Sequence, residues 1–205
     1  METTRRNFGT LLVDRCSVDE GFTIMFLCVG PEDSGKTLLL RQLQNLTKPP
    51  IKAGQVQEPM SLTTAHTTGV DLITLTPKDL YPLFIRELGG CMFPIWKNYY
   101  RGVTKVIYVV NANNLTQVGG ATLLLMDLLA HPHLRGVQVA VVFNKTEAPL
   151  LRNCNEIMNI MRFDDLKQFA SQTIVNFEVS AFAGKGIRPL LKWILPPPPP
   201  EPEVH

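Results

Sequence analysis

Apolar residues form continuous runs along much of this chain, and such runs predict strands that are buried on both faces of a sheet. Four runs of this kind are residues 22–29, 104–111, 136–144 and 173–180. Two further runs, 69–75 and 80–88, flank the Pro-initiated turn TPKD and predict a hairpin. The pattern therefore predicts six strands, two of them antiparallel neighbours.

Helically spaced apolar residues predict helices between these strands. The predicted helices are residues 36–46, 117–130, 155–171 and 187–195. Gly119 and Gly120 make the start of the second helix its least defined boundary, because glycine weakens a helix interior. Strands alternating with helices predict an α/β fold with a largely parallel, doubly wound sheet and one antiparallel hairpin strand.

The 205 residues, 45% of them apolar, suffice for one α/β core and make two sizeable domains improbable. We predict one domain over residues 21–195, an N-terminal extension over 1–20 and a proline-rich disordered tail over 196–205. The tail has two interpretations, a solvated extended end or a ligand for an SH3 or WW domain.

A net charge of +2 gives no concentrated basic face, which disfavours a nucleic-acid partner. The cysteines are too widely spaced for a zinc site, and we interpret them as reduced thiols of a cytoplasmic protein. They are Cys16, Cys28, Cys91 and Cys154.

No apolar run approaches the ~18 residues of a membrane span, and the start of the chain lacks the apolar stretch of a signal peptide. Glu2 excludes N-myristoylation, and the C-terminal PEVH has no cysteine for prenylation. We predict a monomer without a direct lipid anchor, peripheral to membranes only through partners.

GPEDSGKT at residues 30–37 fits the phosphate-binding pattern G-x-x-x-x-G-K-[ST] between a predicted strand and a predicted helix. Glycines let backbone N–H groups point at phosphate oxygens, and the helix N-terminus adds its positive end. Lys36 would reach the β and γ phosphates, and the Thr37 hydroxyl would bind Mg²⁺. The predicted nucleotide contacts of this loop are Gly30, Asp33, Ser34, Gly35, Lys36 and Thr37.

FNKTE at residues 143–147 ends a predicted strand with Asn-Lys-x-acid. A carboxylate at Glu147 can accept hydrogen bonds from guanine N1–H and its 2-amino group, which adenine does not offer. Alone, this pattern is equally typical of a polar cap at a strand end. With the SA pair after the last strand it indicates a guanine site that comprises Asn144, Lys145, Glu147, Ser180 and Ala181.

The ordered motifs GPEDSGKT, HTTG, ELGG, PIW, NKTE, SA and LLKWI resemble those of Ras-type small GTPases of the ADP-ribosylation factor-like branch. The resemblance covers about residues 20–195. It implies a Ras-like, three-layer P-loop NTPase fold that binds GTP or GDP with Mg²⁺. It also implies exchange, activating and effector proteins at two nucleotide-sensing switches, and a role in membrane traffic or ciliary processes.

The same resemblance implies roles for residues outside the phosphate loop. Thr67 would close on Mg²⁺ and the γ-phosphate, and Glu87 would hold Mg²⁺ through a water. The Gly90 N–H would sense the γ-phosphate and would act with Lys36 in catalysis. Loss of the γ-phosphate would then release both switch segments.

The chain departs from the family pattern in several places. The interval from Thr37 to Thr67 is longer, and Val70 and Arg86 replace two aromatic residues that face effectors, leaving Tyr99. Cys91 stands where hydrolysing members have a water-positioning glutamine, so we expect slow intrinsic hydrolysis. A non-hydrolysing interaction scaffold is the alternative, and a P-loop ATPase or kinase is a more distant one.

Aromatic residues after the GG pair have two interpretations, an effector surface or core packing. Trp96, Tyr99 and Tyr100 are the candidates, and for Trp96 core packing is favoured. The histidines show no ligand spacing and are interpreted as surface groups; they are His66, His131, His133 and His205.

Overall fold

The computed structural model describes residues 25–48, 61–78, 80–147 and 154–196. Six strands form one sheet in the order β2-β3-β1-β4-β5-β6, in which β2 and β3 are antiparallel and all other neighbours are parallel. The strands are β1 Met25–Val29, β2 Val70–Leu75, β3 Leu83–Leu88, β4 Val103–Asn111, β5 Gln138–Asn144 and β6 Thr173–Glu178. The predicted mostly parallel sheet with one antiparallel strand is therefore confirmed.

Five α-helices accompany the sheet within the described residues. They are α1 Lys36–Thr47, α2 Leu115–Ala130, α3 Cys154–Ile160, α4 Phe163–Phe169 and α5 Ile187–Ile194. A 3₁₀ segment covers Gly90–Tyr99, and a shorter one covers Pro132–Leu134. No helix in these ranges is long and apolar enough to cross a membrane.

Helices cover both faces of the sheet because successive side chains of a strand point in opposite directions. Leu27 and Val29 of β1 join a core with α2, α3 and α4, whereas Phe26 and Cys28 join a core with α1 and α5. Each fully buried large apolar side chain contributes roughly 1.5–3 kcal/mol relative to exposure. This arrangement is the predicted three-layer α/β fold.

The single helix predicted over residues 155–171 is wrong, because the chain breaks between α3 and α4. Arg162 adopts a left-handed conformation with φ of 49°, and no glycine or proline in the sequence signals it. The break lets Phe163 enter the core, where its ring packs edge-on against Phe143 at 5.8 Å between centroids. Tertiary packing thus overrides the continuous helical pattern.

The predicted N-terminal extension and proline-rich tail lie outside the described residues, apart from Pro196. So does most of the long interval before Thr67, residues 49–60. The domain boundaries 1–20, 21–195 and 196–205 therefore stay predictions.

Candidate nucleotide and magnesium site

The loop between β1 and α1 requires glycine at two positions. Gly30 has φ of 151°, and an added Cβ would lie 2.2 Å from the Val109 carbonyl oxygen. Gly35 has φ of 83°, and its Cβ would lie 2.4 Å from Nδ2 of Asn144. Gly35 also precedes α1 without a side-chain cap, so the helix N-terminus opens into the loop. The backbone thus forms the cradle that the motif predicts.

Lys36 lies inside this cradle. Its Nζ donates hydrogen bonds to the carbonyl oxygens of Gly30 at 2.9 Å and Pro31 at 2.8 Å. Burial lowers the pKa of Lys36, while nearby acidic groups, including Glu87, raise it. Phosphate oxygens would favour the charged ammonium in the same way, so the position suits an anionic ligand.

Three oxygen-bearing side chains from three segments meet beside the cradle. The Thr37 hydroxyl donates to Oε1 of Glu87 at 2.6 Å, and the Thr37 and Thr67 hydroxyl oxygens lie 3.1 Å apart. The Thr67 hydroxyl also donates to Oε1 of Glu87 at 3.3 Å. Thr37 begins α1, Glu87 ends β3 and Thr67 precedes β2, so the fold brings together the three predicted metal-binding residues.

The chemistry of these donors fits Mg²⁺, which prefers oxygen ligands. Glu87 is fully buried, and its Oε2 has no hydrogen-bond partner among the described residues. Burial raises the pKa of Glu87, while the hydrogen bond from Thr37 and the charge of Lys36 oppose that rise. A divalent cation, or water bound to one, would satisfy the unpaired oxygen and favour the carboxylate. Groups of three or more His, Cys, Asp or Glu suited to a metal are absent from the described ranges.

The GG pair after β3 packs closely against both other loops. An added Cβ at Gly90 would lie 2.3 Å from the Glu32 backbone nitrogen, and one at Gly89 would lie 2.1 Å from the Thr67 carbonyl oxygen. Cys91 follows with an exposed side chain, its Sγ 4.0 Å from that same Thr67 oxygen. The three loops therefore meet with no room for larger residues at the glycines.

Asn144, at the end of β5, joins the phosphate loop to the loop after β6. Its Nδ2 donates to the Ser34 carbonyl at 2.9 Å, and its Oδ1 accepts from the Ala181 backbone N–H at 3.0 Å. The Ser180 N–H donates to the Lys185 carbonyl. The backbone N–H groups of Ser180 and Ala181, both predicted to belong to the guanine site, therefore have partners within the protein in this structure.

Lys145 and Asp33 form an ion pair across the top of the site, with Nζ 2.7 Å from Oδ1. The Asp33 carboxylate is 64% exposed, as expected for an acid that turns away from a phosphate cradle. The Asn111 side chain, at the end of β4, donates to the Asp33 carbonyl at 3.2 Å. Glu147 is exposed at the last described position before residue 154.

The residues predicted to bind phosphate and those predicted to bind Mg²⁺ line one cavity of about 320 Å³. Its lining includes Lys36, Thr37, Thr67, Glu87 and Gly90. His66, predicted to be a surface group, is exposed and also lines this cavity. A larger groove of about 850 Å³ between α2 and α4 contains none of the predicted nucleotide residues. We place the site in the smaller cavity because its chemistry suits phosphate and Mg²⁺.

Comparison with known proteins shows the family of this chain. The model of the ADP-ribosylation factor family matches residues 17–196. The chain belongs to the ADP-ribosylation factor family. Human ADP-ribosylation factor-like protein 16 is 32% identical over 170 residues, which cover 83% of this chain and 84% of that protein. ADP-ribosylation factor-like protein 1 of Caenorhabditis elegans is 29% identical over 82% of this chain and 85% of that protein.

A solved structure has the same fold. It is the Arl6 BBS3 small GTPase from Trypanosoma brucei with the bound nucleotide analogue GppNp, with a TM-score of 0.68 and 20% identity. The match covers 83% of this chain and 94% of that one. This match confirms the predicted Ras-like fold, and the family model with the human relative confirms the predicted factor-like branch. The chain is an Arf-like small GTPase of the GTP-binding switch type.

The aromatic residues of this Arf-like protein divide between core and surface. Trp96 is 2% exposed and donates its Nε1–H to the Gly89 carbonyl at 3.1 Å, which confirms core packing. Tyr100 is equally buried, so of its two interpretations core packing is the one the structure shows. Tyr99 is partly buried beneath the Arg86 guanidinium, 5.5 Å from the ring centroid. The exposed large apolar side chains of the 3₁₀ segment are instead Phe93 and Ile95.

Proposed function

We propose that this Arf-like protein is a regulatory switch that holds GTP with Mg²⁺ and hydrolyses it slowly by itself. The observation that carries the proposal is the cluster of Thr37, Thr67 and Glu87 beside the Gly90 loop. These groups come from the phosphate loop and both switch segments. A ligand that engages all of them therefore couples the conformation of both switches to the γ-phosphate.

Each residue has a defined role in this proposal. The cradle from Gly30 to Gly35 holds the phosphates through backbone N–H groups, and Lys36 neutralises their charge. Thr37 and Thr67 would hold Mg²⁺, with Glu87 acting directly or through a water; the cation would neutralise charge on the β and γ phosphates. At the other end of the site Asn144 holds the loops together, while Lys145 and Glu147 recognise guanine with the Ser180–Ala181 loop. For the Ala181 N–H to contact guanine, its hydrogen bond to Oδ1 of Asn144 must break.

Slow hydrolysis follows from Cys91. In a hydrolysing GTPase a glutamine amide both accepts from and donates to the attacking water, which keeps it in line with the γ-phosphate. A thiol is short and is a weak donor and acceptor, so it gives little orientation. Intrinsic Ras-type hydrolysis is already about 4 × 10⁻⁴ s⁻¹, and each ~1.4 kcal/mol of lost stabilisation slows it a further tenfold.

The partners follow from the same reasoning. An activating protein would supply the missing water-positioning group, and an exchange factor would open the switches. Effectors would bind the face that carries Phe93, Ile95 and the Arg86–Tyr99 pair. The family relationship supports a role in membrane traffic or ciliary processes, with membrane contact through partners.

Cys91 also favours a second candidate, a GTP-bound interaction scaffold that turns over no nucleotide. The two candidates differ in whether GTP disappears when purified protein is mixed with cell extract. Extract-stimulated hydrolysis supports the switch, and its absence supports the scaffold.

Cys91→Gln tests the role assigned to this position. We expect single-turnover GTP hydrolysis about tenfold or more faster than in the wild type, because the amide restores water positioning. Cys91→Ser is the matched control, since it keeps the size but supplies no amide, and it should hydrolyse at the wild-type rate. An unchanged rate in the glutamine variant would contradict the explanation for slow hydrolysis.

A further inference from the structure

A histidine lines the same cavity as Cys91, the residue that stands at the position of the family glutamine. His66 lines the same 320 Å³ space as Lys36, Gly90 and Cys91. It directly precedes Thr67, whose hydroxyl lies within hydrogen-bonding distance of Thr37 and Glu87. The backbone carbonyl of that same Thr67 lies 4.0 Å from the Cys91 sulfur. His66 and Cys91 therefore line one cavity from two different segments, the first before β2 and the second after β3.

The side chains that line the cavity differ in their remaining capacity to form a hydrogen bond with a water. Lys36 donates to backbone carbonyls, Thr37, Thr67 and Glu87 bond to one another, and Asp33 pairs with Lys145. Thr64 and Thr68 also line the cavity, with shorter hydroxyl side chains. Cys91 offers only weak hydrogen bonds. The neutral imidazole of His66 has one nitrogen that accepts and one that donates, and it extends farther from the backbone than a threonine hydroxyl. Its side chain is exposed, so water can reach it.

We propose that His66 is a catalytic residue that orients the attacking water for GTP hydrolysis, in the role that Cys91 leaves unfilled. This inference rests on the proposed function, because it requires bound GTP. It also assigns the residual slow turnover to a residue of the segment before β2 rather than to the segment after β3 that carries Cys91.

Hydrolysis in this arrangement needs no reactant besides GTP and one water. The unprotonated nitrogen of His66 accepts a hydrogen bond from the water and aims its oxygen at the γ-phosphorus. The new P–O bond forms as the bond to the β–γ bridging oxygen breaks, and GDP leaves with that electron pair. The proton of the water ends on the released phosphate, and His66 is unchanged.

The test compares His66→Ala, His66→Gln and His133→Ala in full-length protein loaded with GTP and Mg²⁺. His133 is exposed on the loop between α2 and β5, so it is the matched control. We expect single-turnover hydrolysis to fall about tenfold in His66→Ala. His66→Gln should retain most of the wild-type rate because its amide also accepts and donates, and His133→Ala should be unchanged. GTP retention should be the same in all four proteins.

A second readout does not depend on turnover. Aluminium fluoride with GDP and Mg²⁺ mimics the transferring phosphoryl group together with its in-line water, and transition-state mimics depend on the groups that orient that water. We expect GDP with aluminium fluoride to raise the melting temperature of the wild type and His133→Ala above that with GDP alone. His66→Ala should lose this additional rise while keeping the rise caused by GDP.

Three results would overturn the inference. One is GTP-loaded His66→Ala with the wild-type hydrolysis rate, and another is a full aluminium fluoride effect in that variant. The third is a GTP-loaded wild type with no measurable hydrolysis, since no catalytic residue is then needed. In each case GTP remains bound and the proposed nucleotide site stands. Failure of the wild type to retain any guanine nucleotide would instead overturn the proposed function itself.

Discussion

Glu87 shows how one residue links the core of the protein to its chemistry. It lies on β3 opposite Cys28 of β1 in the parallel register, where a strand residue is expected to be apolar. Full burial disfavours its charged form, and Thr37 and Lys36 only partly compensate. A buried acid at this position is costly unless a cation is bound, which is typical of functional sites.

Glu87→Gln should remove the response of the protein to Mg²⁺. In the wild type with GDP, Mg²⁺ should raise the melting temperature because it neutralises a buried carboxylate. The glutamine variant should show little of this rise, since its amide is neutral and is a poorer ligand. Thermal unfolding with GDP, with Mg²⁺ or with a chelator, measures the difference. Asp164→Asn, at an exposed position on α4 away from the site, is the control and should respond like the wild type.

The raised pKa of Glu87 also sets the sign of a pH dependence in chelator. The folded protein binds this proton more tightly than the unfolded chain does. The free energy of unfolding should therefore fall as the pH rises above the ordinary carboxyl pKa of 4.5 toward the raised value. Glu87→Gln should remove that part of the slope. Equal slopes in the two proteins would contradict the assigned cost of burial.

The other site residues differ in whether the sequence alone predicts their positions. Lys36 and Thr37 could be predicted because a short motif fixes both the loop and the first helical turn. His66 could not, because the direction of a loop side chain follows no period and depends on how the loop packs on Gly89 and Cys91. The hydrogen-bond partners of the Ser180 and Ala181 N–H groups could likewise not be predicted. These N–H groups belong to a loop whose conformation is fixed by bonds to Asn144 and Lys185.

At the scale of elements, helix α2 shows packing overcoming weak local preference. Gly119 and Gly120 each cost about 1 kcal/mol in a helix interior, yet the helix begins before them, at Leu115. Buried side chains offset that cost: Val118, Leu125 and Leu128 contribute roughly 1.5–3 kcal/mol each, and the smaller Ala121 contributes less. The periodicity of this apolar face is also why the helix could be predicted.

Tyr108→Phe tests the attachment of α2 to the sheet. The buried Tyr108 hydroxyl on β4 donates to the Ala121 carbonyl of α2 at 2.6 Å. Its loss should lower the free energy of unfolding by about 1 kcal/mol, the typical net value of such a hydrogen bond. Denaturant unfolding measures this, and Tyr81→Phe at a 90% exposed position should cause no change. Equal stability of the two variants would show that the hydroxyl contributes nothing to this contact.

The fold could be predicted from sequence as a largely parallel sheet with one antiparallel strand, because buried apolar runs alternate regularly with helically spaced segments. The break at Arg162 could not, since it depends on a contact between Phe163 and Phe143 from distant parts of the chain. At this scale the sheet brings together the carboxyl ends of β1, β3, β4 and β5, the edge at which open α/β sheets bind ligands. Phosphate, metal and base residues therefore meet in one site although they are far apart in sequence.

The most direct measurement of the central claim is the identity of bound nucleotide over time. Purified protein is loaded with GTP and Mg²⁺, free nucleotide is removed, and the nucleotide released on denaturation is identified by chromatography over several hours. We predict that most of it is still GTP well beyond the Ras-type half-life of about half an hour. Conversion of about half or more of it to GDP within that half-hour, or the absence of any retained guanine nucleotide, would contradict a slowly hydrolysing GTP switch.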